Sequence, residues 1–222
     1  MTSLDLATAV IWVGMFLLVS GPVHECAHAF TAWKLGDGTA KLFGRITLDP
    51  VKHFDPIGGT LLAGSVVLGL LSGGAIFGFG WAKPTPVNPY NLRGRYADTM
   101  VAVAGPLSNL ALAAVCAVGF RFMYSSGYIP DNTSAGNMLQ LVFYTGVWLN
   151  VVLMLFNLIP VPPLDGSHVL FELLDSRTAY ELRNFMNQYG LLLLLGVIIV
   201  IRQVVSPIAT PIVSFLIGVP LQ

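Results

Sequence analysis

Residues 6–28 read LATAVIWVGMFLLVSGPVHECAH, an apolar run that ends in the pattern His-Glu-x-x-His. Residues 6–19 contain almost no polar side chain, as expected of a segment that crosses a lipid bilayer. On a helix, the i, i+4 spacing places His24 and His28 on one face, where both imidazoles can bind one metal ion beside Glu25. The stretch therefore predicts a metal site inside a membrane helix.

The composition predicts an integral membrane protein. Of the 222 residues, 55% are hydrophobic and 10% are charged, whereas ordinary soluble domains have roughly 45–50% and 25%. The 11 basic and 11 acidic residues cancel, so there is no basic surface for a phosphate backbone and no nucleic-acid partner is expected. Because no basic residue precedes the first apolar run, we expect a retained span instead of a signal peptide.

The distribution of apolar stretches predicts an all-α polytopic membrane protein with four or five transmembrane helices, forming a single membrane-embedded domain over residues 1–222. Each predicted span approaches or exceeds the roughly 20 residues needed to cross the bilayer. Whether the last one crosses fully or folds back at Pro207 and Pro211 stays open. The predicted spans are residues 4–33, 99–124, 139–160 and 189–219.

Two stretches between these spans have different patterns. Residues 34–59 consist of short alternating pieces bounded by Gly and Pro, which is typical of a small membrane-associated β-hairpin. Residues 60–81 are apolar but contain six glycines, which weaken a straight helix. They are predicted to form a re-entrant element or a tight helical hairpin that is shielded by protein.

A catalytic zinc site has three protein ligands and a water, so the two histidines need a third partner. Asp165 is the strongest candidate, because it closes an apolar span and precedes Gly166, which permits a tight turn. His53 and His168 are alternatives, although a structural role is favoured for each. Cys26 is excluded, because two residues along a helix rotate a side chain by about 200°. A purely structural His-Glu-x-x-His is disfavoured, since ionisable groups in lipid are costly.

Several stretches resemble the site-2 proteases, which are intramembrane zinc metalloproteases, and the resemblance extends over nearly the whole chain. The matching pieces are residues 24–28 (HECAH), 104–109 (AGPLSN) and 157–166 (NLIPVPPLDG). Residues 48–58 (LDPVKHFDPIG) are similar to the short branch of the family that lacks PDZ and CBS regulatory domains. The resemblance implies zinc as the cofactor, with His24, His28 and Asp165 as ligands, Glu25 as the general base, and Asn157 as a polar group near the substrate carbonyl.

Two positions depart from the pattern of that family. Ser167 and His168 stand where Gly-Arg commonly follows Asp-Gly, and Asp49 stands where Asn is more common. None of these positions is an implied ligand. The departures therefore concern local substrate contacts and leave the implied chemistry unchanged.

The expected reaction is hydrolysis of peptide bonds in or near transmembrane segments of membrane proteins. The resemblance implies a transmembrane protein or a signal-peptide remnant as substrate. Such a substrate would have to unwind locally, and it could then pair with the edge of the hairpin. A polytopic transporter is one alternative, but it does not explain Glu25 beside two histidines. A catalytically inactive relative that binds membrane proteins is another, but it would not need the base. The sequence leaves the natural substrate and oligomeric state open.

The predicted ligands also constrain the topology. Asp165 and the two histidines lie near the C-terminal ends of their spans, so those spans must run in the same direction. One intervening apolar stretch then cannot cross, and residues 60–81 are the best candidate. The positive-inside rule then places the active site toward the cytoplasm of a plasma-membrane protein, with the N-terminus outside and Arg121 opposite. The basic residues predicted on the cytoplasmic face are Lys34, Lys41, Arg45, Lys52, Lys83, Arg93, Arg95, Arg177 and Arg183.

Overall fold

The computed structural model describes residues 3–71, 78–125 and 134–219, and over these residues the fold is all-helical. Three of the described helices are long and apolar enough to cross a membrane: Leu6–Lys34, Ala97–Ser125 and Met138–Asn157. The all-α prediction is thereby confirmed, and the three apolar helices are consistent with a membrane protein, whereas the predicted number of four or five transmembrane helices is not confirmed. The helices are α1 (Ser3–Met15), α2 (Gly21–Lys34), α3 (Thr39–Leu42), α4 (Pro50–His53), α5 (Pro56–Leu71), α6 (Ala97–Ser125), α7 (Ser134–Asn157), α8 (Gly166–Leu173) and α9 (Ser176–Ile217).

The first span passes from α1 into α2 through a π-helical turn, Phe16–Ser20. Pro22 lies in the first turn of α2, where it has no N–H to donate and its ring crowds the carbonyl four residues earlier. The Gly21 N–H donates to the Phe16 carbonyl, five residues back, and this wider spacing accommodates the proline. The helix therefore continues to the histidine motif at its far end.

Side-chain contacts fix the relative direction of α2 and α6. Nδ1 of His28 lies 2.7 Å from the carbonyl oxygen of Val101. One turn earlier on α2, Nδ1 of His24 lies 2.6 Å from Oδ1 of Asn109, which is two turns later on α6. Residue numbers increase along one helix as they decrease along the other, so the two helices are antiparallel.

The same reasoning orients α7. Nδ2 of Asn109 donates to Oδ1 of Asn150 at 2.9 Å, and Gly119 lies against the ring of Phe143, where an added Cβ would be 2.5 Å away. Helices α6 and α7 are therefore antiparallel as well. It follows that α2 and α7 run in the same direction, as the position of Asp165 after α7 requires.

The main hydrophobic core lies between α6, α7 and α9. Helix α9 passes through Pro207 and Pro211 without a break, so the structure contains no fold-back at those prolines. Residues 189–217 of the predicted span 189–219 belong to α9. Several side chains there lie outside the description, and the described apolar part, Gln203–Ile217, is short for a span. Its crossing stays a prediction. The core residues are Ala113, Ala117, Phe120, Val147, Val151, Val205, Ala209, Val213 and Ile217.

The predicted β-hairpin over residues 34–59 is not confirmed, because this stretch contains the one-turn helices α3 and α4 and no strand. Its Gly and Pro residues bound helical turns, a pattern that also fits strand ends. Side chains satisfy the backbone there: Asp49 accepts from the N–H of Val51, and the fully buried Asp37 accepts from the N–H and hydroxyl of Thr39. Side-chain carboxylates therefore accept the backbone hydrogen bonds that a neighbouring strand would accept in a hairpin.

The chain after α5 turns back along that helix. The N–H of Phe79 donates to Oγ of Ser65 at 2.8 Å, and the N–H of Lys83 donates to the His53 carbonyl at 2.8 Å. Residue numbers rise along the returning segment as they fall along α5 and α4, so the two stretches are antiparallel. Residues 53 and 83 therefore lie together at one end of the returning segment. Residues 72–77, within the predicted re-entrant element, lie outside the described residues.

A second contact closes the connection between α2 and α6. The N–H of Arg93 donates to the carbonyl oxygen of Leu35 at 2.8 Å, just after α2 ends and just before α6 begins. The stretch between these two helices therefore starts and finishes at the same end of the helical bundle.

Candidate metal centre

His24, His28 and Asp165 are the one group of three or more His, Cys, Asp or Glu residues, among those described, whose atoms could hold a metal ion. The Nε2 atoms of the two histidines are 3.0 Å apart. Oδ2 of Asp165 is 3.2 Å from Nε2 of His24, and Oδ1 is 3.4 Å from Nε2 of His28. One nitrogen of each histidine and the two oxygens of the Asp165 carboxyl group therefore lie close together.

The chemistry and spacing of this group fit zinc. Zn–N and Zn–O bonds of about 2.0–2.2 Å at tetrahedral angles separate neighbouring ligand atoms by roughly 3.3 Å. The distance between the two nitrogens and the distance from each nitrogen to its nearer Asp165 oxygen are of that size. Oδ2 of Asp165 is also buried without a hydrogen-bond partner among the described residues. A buried unpaired carboxylate oxygen is costly, and a cation between the histidines and the carboxylate removes that cost.

In each of the two histidines, Nδ1 donates a hydrogen bond, and this leaves the lone pair of Nε2 available to bind a metal. The Val101 carbonyl can only accept, so Nδ1 of His28 carries the proton and Nε2 has the lone pair. Nδ1 of His24 likewise donates to the Asn109 side-chain oxygen. A histidine that binds a metal is oriented in this way by a second hydrogen bond.

Asp165 reaches the site because the chain turns sharply between α7 and α8. Gly166, the first residue of α8, lies so close to the backbone that an added Cβ would be 2.7 Å from the Ile159 carbonyl oxygen. The sharp turn thereby brings the Asp165 carboxyl group to within 3.2 Å of His24 and 3.4 Å of His28.

Glu25 lies beside the ligands and is held by the segment that returns from α5. Its Oε2 accepts from the N–H of Thr85 at 2.7 Å, and the Thr85 hydroxyl donates to the Glu25 carbonyl at 2.9 Å. Asn157 ends α7, and its amide donates to the Leu153 carbonyl at 3.0 Å. Glu25, Asn157 and the three candidate ligands line one cavity of about 980 Å³.

The alternative ligands do not join the group. His53 is buried outside the cavity, with Nε2 2.8 Å from the Thr47 carbonyl oxygen, which indicates a structural role. His168 lines the cavity but pairs with Asp98, whose Oδ2 lies 2.8 Å from its Nδ1 and raises the pKa of His168 above its ordinary value. Cys26 is also absent from the ligand group.

The structure adds residues to which the sequence analysis gave no role. Gly105 faces both histidines, and an added Cβ would lie 2.6 Å from the His24 ring and closer still to Nε2 of His28. Gly105 and Asn109 belong to the quoted stretch 104–109, and their i, i+4 spacing signals a shared helix face. Val101 acts through its backbone carbonyl and Thr85 partly through its backbone N–H, and such backbone groups carry no sequence signal.

Comparison with known proteins agrees with this site. The sequence profile of peptidase family M50 matches residues 12–197. A Bacillus subtilis protein named "Putative zinc metalloprotease YwhC" is 41% identical over 158 residues, covering 71% of this chain and 66% of that protein. No solved structure matches the chain with significance.

Two mycobacterial relatives carry the same type of name. "Putative zinc metalloprotease Rip2" of Mycolicibacterium smegmatis is 30% identical over 205 residues, covering 88% of this chain and 71% of the relative. The protein of the same name from Mycobacterium tuberculosis is 31% identical over 163 residues, covering 69% of this chain and 53% of that protein. The matched stretches thus span between about half and about seven tenths of these relatives. The chain belongs to peptidase family M50, the site-2 protease family of intramembrane zinc metalloproteases.

Proposed function

We propose that this protein hydrolyses peptide bonds in or near transmembrane segments of membrane proteins, with zinc held by His24, His28 and Asp165. The observation that carries the proposal is the convergence of these three ligand atoms beside the Glu25 carboxylate, in a cavity bordered by membrane-spanning helices. A transporter would not require a carboxylate base next to a three-ligand zinc site.

Glu25 is the general base in this proposal. Zinc, when bound, supplies a Lewis acid that polarises water and the substrate carbonyl. Glu25 takes the proton from the attacking water and delivers it to the amine as the C–N bond breaks. The N–H of Thr85 holds one oxygen of the Glu25 carboxylate in place, so the base is oriented before the substrate arrives.

Asn157 is assigned to the substrate carbonyl oxygen. Its Nδ2 carries two N–H groups, and donation of one to the Leu153 carbonyl fixes the amide at the cavity wall. We assign the other to the oxygen that gains negative charge during attack, where a fixed donor stabilises the transition state.

The long apolar helices that border the cavity support a substrate that lies in the bilayer. A transmembrane helix has its peptide groups in i to i+4 hydrogen bonds, so it must unwind locally before it is cut. The predicted pairing of the substrate with a hairpin edge has no strand to support it in residues 34–59. The proposed substrates remain a transmembrane protein or a signal-peptide remnant.

The proposed topology has residues 60–81 re-entrant and the active site toward the cytoplasmic face of the plasma membrane. The antiparallel return of residues 78–83 along α5 supports it, because residues 53 and 83 then share one end. The charge distribution supports the cytoplasmic placement by the positive-inside rule.

Cysteine labelling in intact cells tests this topology. In a background that lacks Cys26 and Cys116, the variants Lys52→Cys and Lys83→Cys are expected to react only after the membrane is permeabilised, and Arg121→Cys before. All three native side chains are exposed, so accessibility does not limit the comparison. Reaction of the Lys52 and Lys83 variants from opposite sides would contradict the re-entrant segment.

Metal removal tests the function itself. The purified protein in lipid vesicles is expected to cleave a co-reconstituted single-span substrate, to stop after treatment with a chelator, and to recover when zinc is restored. The reason is that the three ligands alone supply no Lewis acid. Cleavage that persists at full rate in the zinc-free protein would refute the proposal, as would transport with no cleavage.

A further inference from the structure

Two buried asparagines lie between the membrane-spanning helices α6 and α7. Asn109 and Asn150 are 0% and 1% exposed. A primary amide buried at such a place is costly unless its polar atoms are paired. Both are paired, and the pairs form a continuous series of hydrogen bonds that ends at His24.

The direction of this series is fixed at its far end. Nδ2 of Asn150 donates to the backbone carbonyl of Gly146 at 2.9 Å, and a carbonyl can only accept. Oδ1 of Asn150 therefore faces Asn109 and accepts from its Nδ2 at 2.9 Å. Oδ1 of Asn109 is left facing Nδ1 of His24, 2.6 Å away, so the proton lies on Nδ1 and Nε2 is free.

We propose that Asn150 is a positioning residue that fixes the zinc-binding tautomer of His24 through Asn109. The inference rests on the zinc site of the proposed function, and it adds Asn150 as the residue that orients the ligand His24. Asn150 acts without touching the ligand, because the Asn109 amide lies between them.

The two histidines differ in how they are oriented. Nδ1 of His28 faces the Val101 backbone carbonyl, which cannot become a donor. Nδ1 of His24 faces a side-chain amide, which presents a donor if it rotates by half a turn. Only His24 therefore depends on a second residue, and Asn150 is the residue that holds the amide in the accepting orientation.

Zinc affinity of the Asn150→Leu variant tests the proposal. Without the acceptor at position 150, the Asn109 amide loses its preferred orientation, and the zinc dissociation constant is expected to rise about 10- to 100-fold. The added variant Asn109→Asp should return it to near the wild-type value, because a carboxylate can only accept from His24. Zinc competition with a chelator gives the readout, independently of protease activity.

Two further variants separate positioning from packing. Val151→Ala removes buried volume next to Asn150 without touching the hydrogen bonds, so it should leave the zinc dissociation constant unchanged. Asn150→Asp still accepts from Asn109 and should bind zinc nearly as well as the wild type. Thermal unfolding checks that each variant is folded, and Asn150→Ala, which also lacks the acceptor for Asn109, replaces Asn150→Leu if that variant is not.

Equal zinc affinities in Asn150→Leu and Val151→Ala, or no recovery in the double variant, would overturn the positioning role. Failure of the proposed function is distinguishable, because the wild-type protein would then bind zinc without cleaving the reconstituted substrate, or bind no zinc at all, whatever the affinities of the Asn150 variants. Loss in Asn150→Leu with recovery in the double variant supports the inference.

Discussion

Glu25→Gln is expected to bind zinc as the wild type does and to lose cleavage by about 100- to 10,000-fold, the contribution of a positioned general base. Glutamine keeps the shape of the side chain and can still accept from the Thr85 N–H. It cannot take a proton from water at neutral pH. The loss should therefore appear in kcat, while zinc content and thermal stability stay near the wild-type values.

The measurement is single-turnover cleavage of a reconstituted single-span substrate, with zinc content determined on the same preparations. Thr85→Val is a useful comparison, because it keeps the N–H that holds the carboxylate and removes only the hydroxyl contact to the Glu25 carbonyl. It should retain most of the activity. Full activity of Glu25→Gln would show that another group is the base.

Asp165→Ala is expected to lose both zinc and activity. It removes one of the three converging ligand atoms and leaves two imidazole nitrogens 3.0 Å apart. Loss of an outer hydrogen-bond partner costs about 10- to 100-fold in metal affinity, so loss of a direct ligand should exceed that range. His28→Ala should behave in the same way.

His168→Ala is the matched control for the Asp165 variant. His168 lines the same cavity and follows Asp165 closely in sequence, but it pairs with Asp98 and lies outside the ligand group. It should keep its zinc, as determined by equilibrium dialysis. Zinc binding by Asp165→Ala at wild-type affinity, or its loss in His168→Ala, would require a different third ligand.

The sequence predicts that the three candidate ligands lie together, because two local features point to it. The i, i+4 spacing of His24 and His28 sets a helix face, and Asp165 is the carboxylate that closes a later apolar span. The common direction of α2 and α7 then follows from geometry alone. The contacts of α6 with both helices reproduce that direction.

The β-hairpin predicted for residues 34–59 is not confirmed, because Gly and Pro mark the ends of single helical turns as readily as the ends of strands. Tertiary contacts decide between helical turns and strands in this stretch. Asp37 is held by the N–H of Asn88 and the amide of Asn91, and Arg45 donates to carbonyls that include Pro84. These partners are about 40 to 50 residues away, so a local pattern cannot reveal them.

The groups that orient the ligands were also beyond the sequence. Val101 acts through its carbonyl and Thr85 partly through its N–H; every residue type has a backbone carbonyl, and every type except proline has a backbone N–H. Asn150 has no recognisable spacing from the histidines. Asn150 reaches His24 only through Asn109 on α6, so their connection depends on how α2, α6 and α7 are aligned with one another. The sequence alone does not give that alignment.

The position of the cut bond tests the account most directly. A single-span substrate should be reconstituted in vesicles with the wild-type protein or Glu25→Gln, and the products identified by mass spectrometry. The account predicts new termini within or next to the apolar segment of the substrate, formed by the wild type alone. Cuts confined to soluble regions, or equal products from Glu25→Gln, would contradict it.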